Sequence, residues 1–321
     1  MTIEPDAKIF VAGHRGMVGS AVVRKLEKVG IQNLITASSS ELDLRDQQAT
    51  FRFFEAHRPD YVVLAAAKVG GILANRDFPA QFIYDNLSIA LNVIQAARNS
   101  GTRKLLNLGS SCIYPKLADQ PISEDSLLTG PLEPTNRAYA VAKIAAIELC
   151  DSYRSQYGSD FISAMPTNLY GPGDNYDLYS SHVIPALLRK AHEAKLNGAD
   201  SMMVWGTGTV RREFLHADDL ADAAIFLLET FSDAGPINVG TGEDVTIRQL
   251  AEIVCEVVGF PGELVFDASK PDGTPRKLLD VSRLSHLGWS ARTDLRSGLA
   301  DAYYWFCQNT GAARGLESRT A

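Results

Sequence analysis

The sequence contains few cysteines, and the four present are widely scattered as Cys112, Cys150, Cys255 and Cys307. No two have the Cys-x-x-Cys spacing of zinc sites or redox motifs, so the sequence predicts neither a metal site nor a disulfide framework. Free thiols are typical of a reducing compartment. The polar segment 1–8 also lacks the apolar core of a secretory signal. We therefore expect a cytoplasmic protein.

Long apolar runs and excess positive charge are also missing. No run approaches the roughly 20 apolar residues of a membrane-spanning helix, so we expect no membrane association. Lysine and arginine number 31 against 38 acidic residues, a net charge of −7 at pH 7. Nucleic-acid-binding domains are usually basic, so no nucleic-acid partner is expected. The 321 residues, 45% of them hydrophobic, suit a soluble globular protein of one large or two smaller domains.

Glycines follow the first apolar run of the chain at a regular spacing. The run 8–13 leads into Gly13-x-x-Gly16-x-x-Gly19, and a helical pattern continues to about residue 29. Gly13 permits a tight turn, Gly16 lets the backbone approach a pyrophosphate, and Gly19 lets the helix pack on the sheet. The helix N-terminus then faces the phosphates. The segment predicts a dinucleotide-binding loop, although the commoner spacing is Gly-x-Gly-x-x-Gly.

The second predicted strand, 34–38, bears on the choice of cofactor. NAD-preferring sites usually end this strand with an acid that binds the ribose 2′-hydroxyl. Here serines end the strand and Glu41 and Asp43 come later, so we expect no acid at its tip. Arg15 in the glycine loop could bind a 2′-phosphate through charge-assisted hydrogen bonds. The sequence therefore favours NADP over NAD.

Strands and helices alternate through the first half of the chain. Further strands are predicted at 61–66, 104–109, 161–165 and 236–240, and helices at 47–57, 82–99 and 138–157. Such alternation predicts an α/β fold with a doubly wound parallel Rossmann sheet. We expect a nucleotide-binding domain at 1–172 with a return near 210–242. A smaller mixed α/β substrate domain is expected at 173–209 and 243–311, followed by a flexible tail at 312–321.

Chemically active side chains cluster around the fourth strand and the helix after it. Ser110 and Cys112 follow the strand, while Tyr139 and Lys143 are four residues apart on one helix face. Ligands bind at the carboxyl ends of parallel strands. A hydroxyl, a phenol and an ammonium gathered there indicate proton transfer to a carbonyl or alcohol oxygen. We expect Lys143 to lower the pKa of the phenol and to bind a cofactor ribose.

The glycine loop, the strand-four serine and Tyr-x-x-x-Lys together resemble the extended short-chain dehydrogenase/reductases. Longer segments are similar to those of one family within them, the GDP-L-fucose synthase family. These segments are 13–19, 65–71, 109–115, 133–136, 166–172, 181–187, 212–216 and 271–277. The resemblance runs from about residue 8 to about residue 306.

This resemblance implies an activity and its catalytic residues. The family epimerises C3 and C5 of GDP-4-keto-6-deoxy-D-mannose and then reduces the C4 ketone with NADPH, which yields GDP-L-fucose. Ser110, Tyr139 and Lys143 match the reductase triad, and Cys112 and His182 match the epimerisation pair. Protons at C3 and C5 are both α to the ketone, so one base, one acid and one oxyanion site serve both carbons. A cation, either Lys143 or a protonated His182, would lower the pKa of the Cys112 thiol.

The resemblance also implies a binding site for each ligand. Cofactor-binding residues are expected at Gly13, His14, Arg15, Gly16, Met17, Val18, Gly19, Ser39, Leu44, Ala65, Ala66, Leu108, Gly109, Ser110, Lys143, Pro166, Thr167, Asn168, Leu169 and His182. Substrate-binding residues are expected at Lys190, Trp205, Arg212, Asp272 and Lys277, where basic side chains could bind the GDP pyrophosphate and Trp205 could flank the base. Some members carry arginine where this chain has Ser39. A homodimer formed through helices 82–99 and 138–157 is also implied.

Other interpretations remain open at this point. Another sugar-nucleotide epimerase or ketoreductase of the same superfamily would need no Cys112/His182 pair. A 4,6-dehydratase would carry an acidic pair where this chain has Ser111-Cys112-Ile113. A non-catalytic NADP-binding regulator would typically lack the tyrosine or the lysine. His182 could simply cap the helix after it, and the acids after His216 are predicted to cap another.

Overall fold

The computed structural model describes residues 3–270, 272–310 and 315. Pro271, the first residue of the segment 271–277, lies outside the described residues, as does the predicted tail apart from Gly315. The strands are β1 (Lys8–Ala12), β2 (Asn33–Ile35), β3 (Tyr61–Leu64), β4 (Lys104–Leu108), β5 (Asp160–Pro166), β6 (Asn168–Tyr170), β7 (Ser201–Trp205), β8 (Arg211–His216), β9 (Pro236–Val239), β10 (Asp244–Thr246), β11 (Glu263–Asp267) and β12 (Arg276–Lys277). The α-helices are α1 (Met17–Lys28), α2 (Gln47–His57), α3 (Ile72–Asp77), α4 (Pro79–Ser100), α5 (Arg137–Tyr157), α6 (Val183–Leu196), α7 (Ala217–Thr230), α8 (Ile247–Val258), α9 (Ser282–His286) and α10 (Leu295–Gln308).

The central sheet has six parallel strands in the order β2-β1-β3-β4-β5-β9. Alternate residues of β1 face opposite sides: Ile9 and Val11 pack with α1 and α7, whereas Phe10 and Ala12 pack with α2 and α4. Helices therefore cover both faces, which is why the inner strands are apolar on both sides. The predicted doubly wound parallel sheet is confirmed, and so is the return of the chain to it at β9.

Strand β2 is shorter than predicted. It ends at Ile35, and Ser38 is already part of a turn closed by the Glu41 carboxylate, which accepts hydrogen bonds from the Ser38 amide at 2.7 Å and hydroxyl at 2.6 Å. Side chains of this type compete with the strand ladder for backbone groups. The serines thus form a turn at the end of the strand and do not extend it.

The second half of the chain builds two smaller sheets. Strand β8 pairs with β6, β10 and β12, and β7 pairs with β11. Helices α6, α8 and α10 pack together in a separate hydrophobic cluster that contains Leu188, Val254 and Phe306. The mixed α/β character predicted for this region is confirmed. None of the helices in the described ranges is both long and apolar enough to cross a membrane.

A buried carboxylate on β8 joins three parts of the chain. Glu213 is completely buried. Its Oε1 accepts hydrogen bonds from the amides of Thr241 at 2.7 Å and Gly242 at 2.8 Å, and its Oε2 accepts one from the Leu279 amide at 2.9 Å. Burial raises the pKa of this carboxyl, while the amide donors act in the opposite direction. Glu213 therefore fixes β8 to the loop after β9 and to the chain that leaves β12.

We expect Glu213→Gln to lower the free energy of unfolding by about 2 kcal/mol or more, because an amide offers one acceptor where the carboxylate offers two, and its NH₂ faces backbone donors. Urea unfolding measures the loss. Glu243→Gln is the matched control, because Glu243 is exposed, and it should change the free energy by less than about 0.5 kcal/mol. Equal effects of the two substitutions would contradict this role of Glu213.

Candidate active site

The carboxyl ends of the six parallel strands lie along one edge of the central sheet. Eight of the twenty residues expected to bind the cofactor follow these ends or complete them. They are Gly13 after β1, Ala65 and Ala66 after β3, Leu108, Gly109 and Ser110 at the end of β4, and Pro166 and Thr167 at the end of β5. The structure therefore brings together residues that lie far apart in the sequence.

The glycine loop leaves no room for side chains at two of its positions. Gly13 has φ +87°, and a Cβ there would lie 2.8 Å from the Ala66 Cα. A Cβ on Gly19 would lie 2.1 Å from the Gly13 carbonyl oxygen. Helix α1 begins with Gly16 as its N-cap and has no acid in its first turn, which contains Met17 and Val18. The backbone without side chains at these glycines and the positive helix end form a cradle that fits a diphosphate.

His14 and Arg15 follow Gly13 within this loop. Arg15 is exposed, and the His14 Nδ1 is buried without a hydrogen-bond partner among the described residues. Hydrogen bonds from Ser38 lower the pKa of Glu41, and the charges of Arg15 and His14 add to this effect. The expectation that no acid lies at the end of the second strand is therefore wrong, because the turn folds Glu41 back toward Arg15. Ser39 is exposed beside it.

Leu44, Asn168 and Leu169 are further residues expected to bind the cofactor. Leu44 packs against the cluster formed with α2 and α4, and its carbonyl accepts a hydrogen bond from Asn92 at 2.9 Å. Thr167 and Asn168 both donate to the Glu213 carbonyl, at 3.3 and 2.8 Å. Leu169 follows in β6 and is half-buried. The Glu213 carbonyl thus holds the chain between β5 and β6 in place.

Ser110 and Cys112 are joined by local structure. A one-turn 3-10 helix, Ser111–Ile113, begins directly after β4 and is capped by the Ser110 hydroxyl, which accepts from the Cys112 amide at 3.4 Å. On α5, the buried Lys143 donates to the Leu108 carbonyl at 2.8 Å. Burial lowers the pKa of Lys143 to about 8, while the nearby Cys112 acts in the opposite direction. The end of β4 and one face of α5 therefore meet at Cys112.

Tyr139 lies on the same face of α5, with its ring edge-on to Phe82 at 6.2 Å. The Lys143 Nζ is 5.8 Å from the centroid of the Tyr139 ring. Burial raises the pKa of Tyr139, the charge of Cys112 raises it further, and a hydrogen bond with Ser110 lowers it. The expectation that Lys143 lowers the pKa of this phenol is wrong, because burial dominates. Tyr139 is a protonated donor at neutral pH.

His182 occupies the N-cap of α6, but its side chain makes no capping hydrogen bond. The alternative that this residue merely caps the helix is therefore wrong. The surrounding protein lowers the pKa of His182, and the Lys277 ammonium lowers it further. His182 is neutral near pH 7, so it is not the cation that was expected to stabilise a Cys112 thiolate. The residue as a whole is exposed at the protein surface.

The residues expected on the substrate side form a connected strip. The Lys190 Nζ lies 5.1 Å from the centroid of the half-exposed Trp205 ring. The Asp272 carboxylate accepts from the Thr207 amide at 2.8 Å and hydroxyl at 2.9 Å. The Asp272 carbonyl in turn accepts from Arg212 at 3.3 Å. Asp272 therefore orders the turn after β7, so its carboxylate already has partners within the chain.

A small cavity opens beside Cys112. Its lining is largely polar and consists of Cys112, Tyr114, Pro115, Lys116, Gln120, Ile122, Glu133, Asn136, Thr274 and Lys277. The Asn136 Oδ1 is buried without a hydrogen-bond partner among the described residues, and Asn136 is the N-cap of α5 yet makes no side-chain cap. A buried acceptor without a donor is costly, which makes this atom a candidate for a ligand hydroxyl.

Sequence reasoning did not assign most of these cavity residues to the site. The segment 133–136 contributed only to the resemblance, although its position just before the tyrosine helix was a usable signal. Lys277 was expected among the residues that bind pyrophosphate. Its position beside Cys112 depends on the pairing of β12 with β8, in which Lys277 is opposite Arg212. No sequence spacing between residues 112 and 277 could have indicated that proximity.

The model of the NAD dependent epimerase/dehydratase family matches residues 9–240. The chain belongs to this family. It is 58% identical to GDP-L-fucose synthase 1 of Arabidopsis thaliana, over 95% of each chain. It is 56% identical to the GDP-L-fucose synthase of Escherichia coli K12, over 96% of this chain and 99% of the relative. The crystal structure of a GDP-L-fucose synthetase from Naegleria fowleri bound to NADP is 32% identical and superposes with a TM-score of 0.91, covering 98% and 96% of the two chains.

Proposed function

We propose that this protein converts GDP-4-keto-6-deoxy-D-mannose to GDP-L-fucose by epimerising C3 and C5 and then reducing the C4 ketone. The observation that carries this proposal is the meeting of Cys112, which lines the polar cavity, with Ser110, Tyr139 and Lys143. A plain ketoreductase needs the last three residues only. The names of the relatives, at 56–58% identity over nearly the whole chain, support the same substrate.

NADP is the cofactor that we propose for the carboxyl edge of the sheet. The cradle at Gly13, Gly16 and Gly19 fits a diphosphate, and Arg15 is available to a 2′-phosphate. NADPH, when bound, supplies the hydride for the C4 ketone. Lys143 would hold the nicotinamide ribose, since its ammonium lies at the end of β4. The NADP-bound relative from Naegleria fowleri supports this choice.

Epimerisation would use Cys112, His182 and the two residues that bind the C4 oxygen. The Cys112 thiolate takes the proton from C3 or C5, and the electron pair of the C–H bond moves to the C4 oxygen as an enolate. Ser110 and Tyr139 donate hydrogen bonds to that oxygen. His182 returns a proton to the opposite face of the carbon. His182 is neutral at rest, so it must first take up a proton from solvent, which the exposure of the residue permits; its lowered pKa then makes the imidazolium a stronger acid.

Reduction uses the same oxygen-binding residues. Tyr139 gives its proton to the C4 alkoxide, and its raised pKa keeps the phenol protonated until that step. Lys190, Trp205 and Arg212 form the strip that we propose for the GDP moiety, with the base on the half-exposed indole ring. Asp272 supports this strip through the Thr207 turn.

We infer that the protein is a homodimer. Tyr84 and Leu91 on α4 are 67% and 50% exposed, and Val141 on α5 is 38% exposed. These apolar side chains fit a homodimer through the two helices, which a monomeric mass in sedimentation equilibrium would contradict.

We also infer a cytoplasmic location, because free cysteines are typical of a reducing compartment. Cell fractionation tests that location. The division between the nucleotide domain and the substrate domain stays a prediction, which limited proteolysis tests.

The proposed reaction is tested by following NADPH consumption with GDP-4-keto-6-deoxy-D-mannose in deuterated water. We expect GDP-L-fucose that carries deuterium at C3 and C5. Consumption of NADPH without deuterium at these carbons would mean a plain 4-ketoreductase. Deuterium uptake without reduction would mean an epimerase. A protein that does neither while it still binds NADP would exclude the proposed substrate.

Cofactor preference depends on the balance between Arg15 and Glu41. We expect Arg15→Ala to raise the KM for NADPH by about tenfold or more, because a charge-assisted bond to the 2′-phosphate is lost, and to leave the KM for NADH nearly unchanged. Steady-state kinetics with both cofactors measures this. Arg24→Ala, farther along α1 and paired with Asp218, is the control and should change neither value. A similar loss with both cofactors would contradict a specific 2′-phosphate contact.

A further inference from the structure

Burial disfavours ionisation of Cys112, the proposed base of the site. Burial raises the pKa of the Cys112 thiol, whereas an enolising base must be ionised to act. His182 is neutral for the reason given above, and Lys143 donates to the Leu108 carbonyl. The two cations expected from the sequence therefore do not fully account for a thiolate at Cys112.

Lys277 is the additional cation at this position. Lys277 and Cys112 both line the same cavity. Among the described residues, no hydrogen bond or ion pair at the Lys277 ammonium is seen. Other basic side chains nearby already have acceptors: Lys116 pairs with Glu133 at 2.8 Å, and Arg212 donates to the Arg211 carbonyl at 2.7 Å.

The charged and titratable groups around Cys112 come from three elements. Lys143 and Tyr139 face it from α5, Lys277 faces it from β12, and Ser110 donates from the end of β4. Among the influences that lower the pKa of Cys112, the charge of Lys277 is larger than that of Lys143. The thiolate in turn favours the charged form of Lys277, as does the Glu133 carboxylate, whereas burial and Arg212 disfavour it.

We propose that Lys277 is the cation that most favours ionisation of Cys112, so that it acts at the sugar end of the site and not at the pyrophosphate. The polar cavity and the orphaned Asn136 Oδ1 support this position, because both suit sugar hydroxyls. The role of Cys112 as the base rests on the proposed function. The ionisation of Cys112 by Lys277 is a separate property, which can be measured without substrate.

The test is a pH titration of thiolate absorbance near 240 nm, taken as the difference between each protein and its own Cys112→Ser variant. A Cys307→Ser background removes the exposed thiol. This signal reports ionisation itself and does not depend on whether a reagent can enter the cavity. We expect Lys277→Met to reduce the thiolate fraction at pH 9 by about tenfold, because an opposite charge close to a thiol shifts its ionisation strongly.

Two further variants separate charge from shape. Lys277→Arg keeps the charge and should retain most of the thiolate signal. Lys116→Met removes a cavity lysine that is already paired with Glu133, and it should leave the signal unchanged. Circular dichroism checks the fold, and Lys277→Gln replaces Lys277→Met if the latter does not fold.

An unchanged thiolate signal in Lys277→Met would overturn the proposal. So would an equal loss in Lys277→Met and Lys277→Arg, because charge would then not be the cause. Wild-type protein without thiolate below about pH 10 would overturn it as well. None of these results depends on turnover. Failure of the proposed reaction would instead appear in the deuterium experiment, with the thiol titration intact.

Discussion

Tyr139→Phe should lower kcat for NADPH-dependent reduction by about a thousandfold, because a positioned general acid contributes roughly 10²–10⁴ to such steps. The phenol suits the role of proton donor, because burial keeps it protonated at neutral pH and the Ser110 side chain hydrogen-bonds to it. Removal of the hydroxyl leaves the ring packed against Phe82, so the fold should persist. Stopped-flow measurement of NADPH oxidation gives the rate.

Deuterium exchange at C3 and C5 should survive this substitution better than reduction does. Ser110 still donates to the C4 oxygen, so we expect exchange to slow by about tenfold only. Tyr304→Phe is the matched control, because Tyr304 lies on α10 with 67% of its surface exposed and should leave both rates unchanged. Reduction within about threefold of wild type would contradict the assignment of Tyr139 as the acid.

Hydrophobic periodicity and glycine spacing predicted most of the fold. The strand β1 and the helix α1 flank the glycine loop as predicted, and α5 spans Arg137–Tyr157 where 138–157 was predicted. The prediction of these elements is correct because packing on the two faces of one sheet sets the spacing of their apolar residues. The second strand was predicted too long, since the Ser38–Glu41 turn depends on side-chain hydrogen bonds that periodicity does not record.

The candidate site was predictable only in part. Ser110, Cys112, Tyr139 and Lys143 lie on neighbouring segments, and the order of the strands brings those segments together. The electrostatics were not predictable, because burial depends on the whole fold. Tyr139, Cys112 and His182 all shift toward their uncharged forms, the direction that removal of water favours. Lys277 reaches Cys112 through a strand pairing between distant segments.

Substitution of Cys112 should separate epimerisation from reduction. Cys112→Ser should reduce deuterium uptake at C3 and C5 by at least about a thousandfold, because a serine hydroxyl is far harder to ionise than a thiol and general-base catalysis is lost. Serine fits the space, since Cys112 is buried against a polar cavity and the substitution removes little volume. NADP binding should be unchanged, as measured by fluorescence titration.

The reductase residues remain intact in Cys112→Ser, so NADPH should still be consumed slowly with the unepimerised ketone. The product is then the sugar that keeps the original configuration at C3 and C5, which NMR distinguishes from fucose. Cys307→Ser is the matched control, because this exposed thiol lies on α10 and should have no effect. Loss of reduction together with exchange, in a folded variant that binds NADP, would mean that reduction requires prior epimerisation. Undiminished exchange would exclude Cys112 as the base and leave His182 as the remaining titratable candidate beside Lys277.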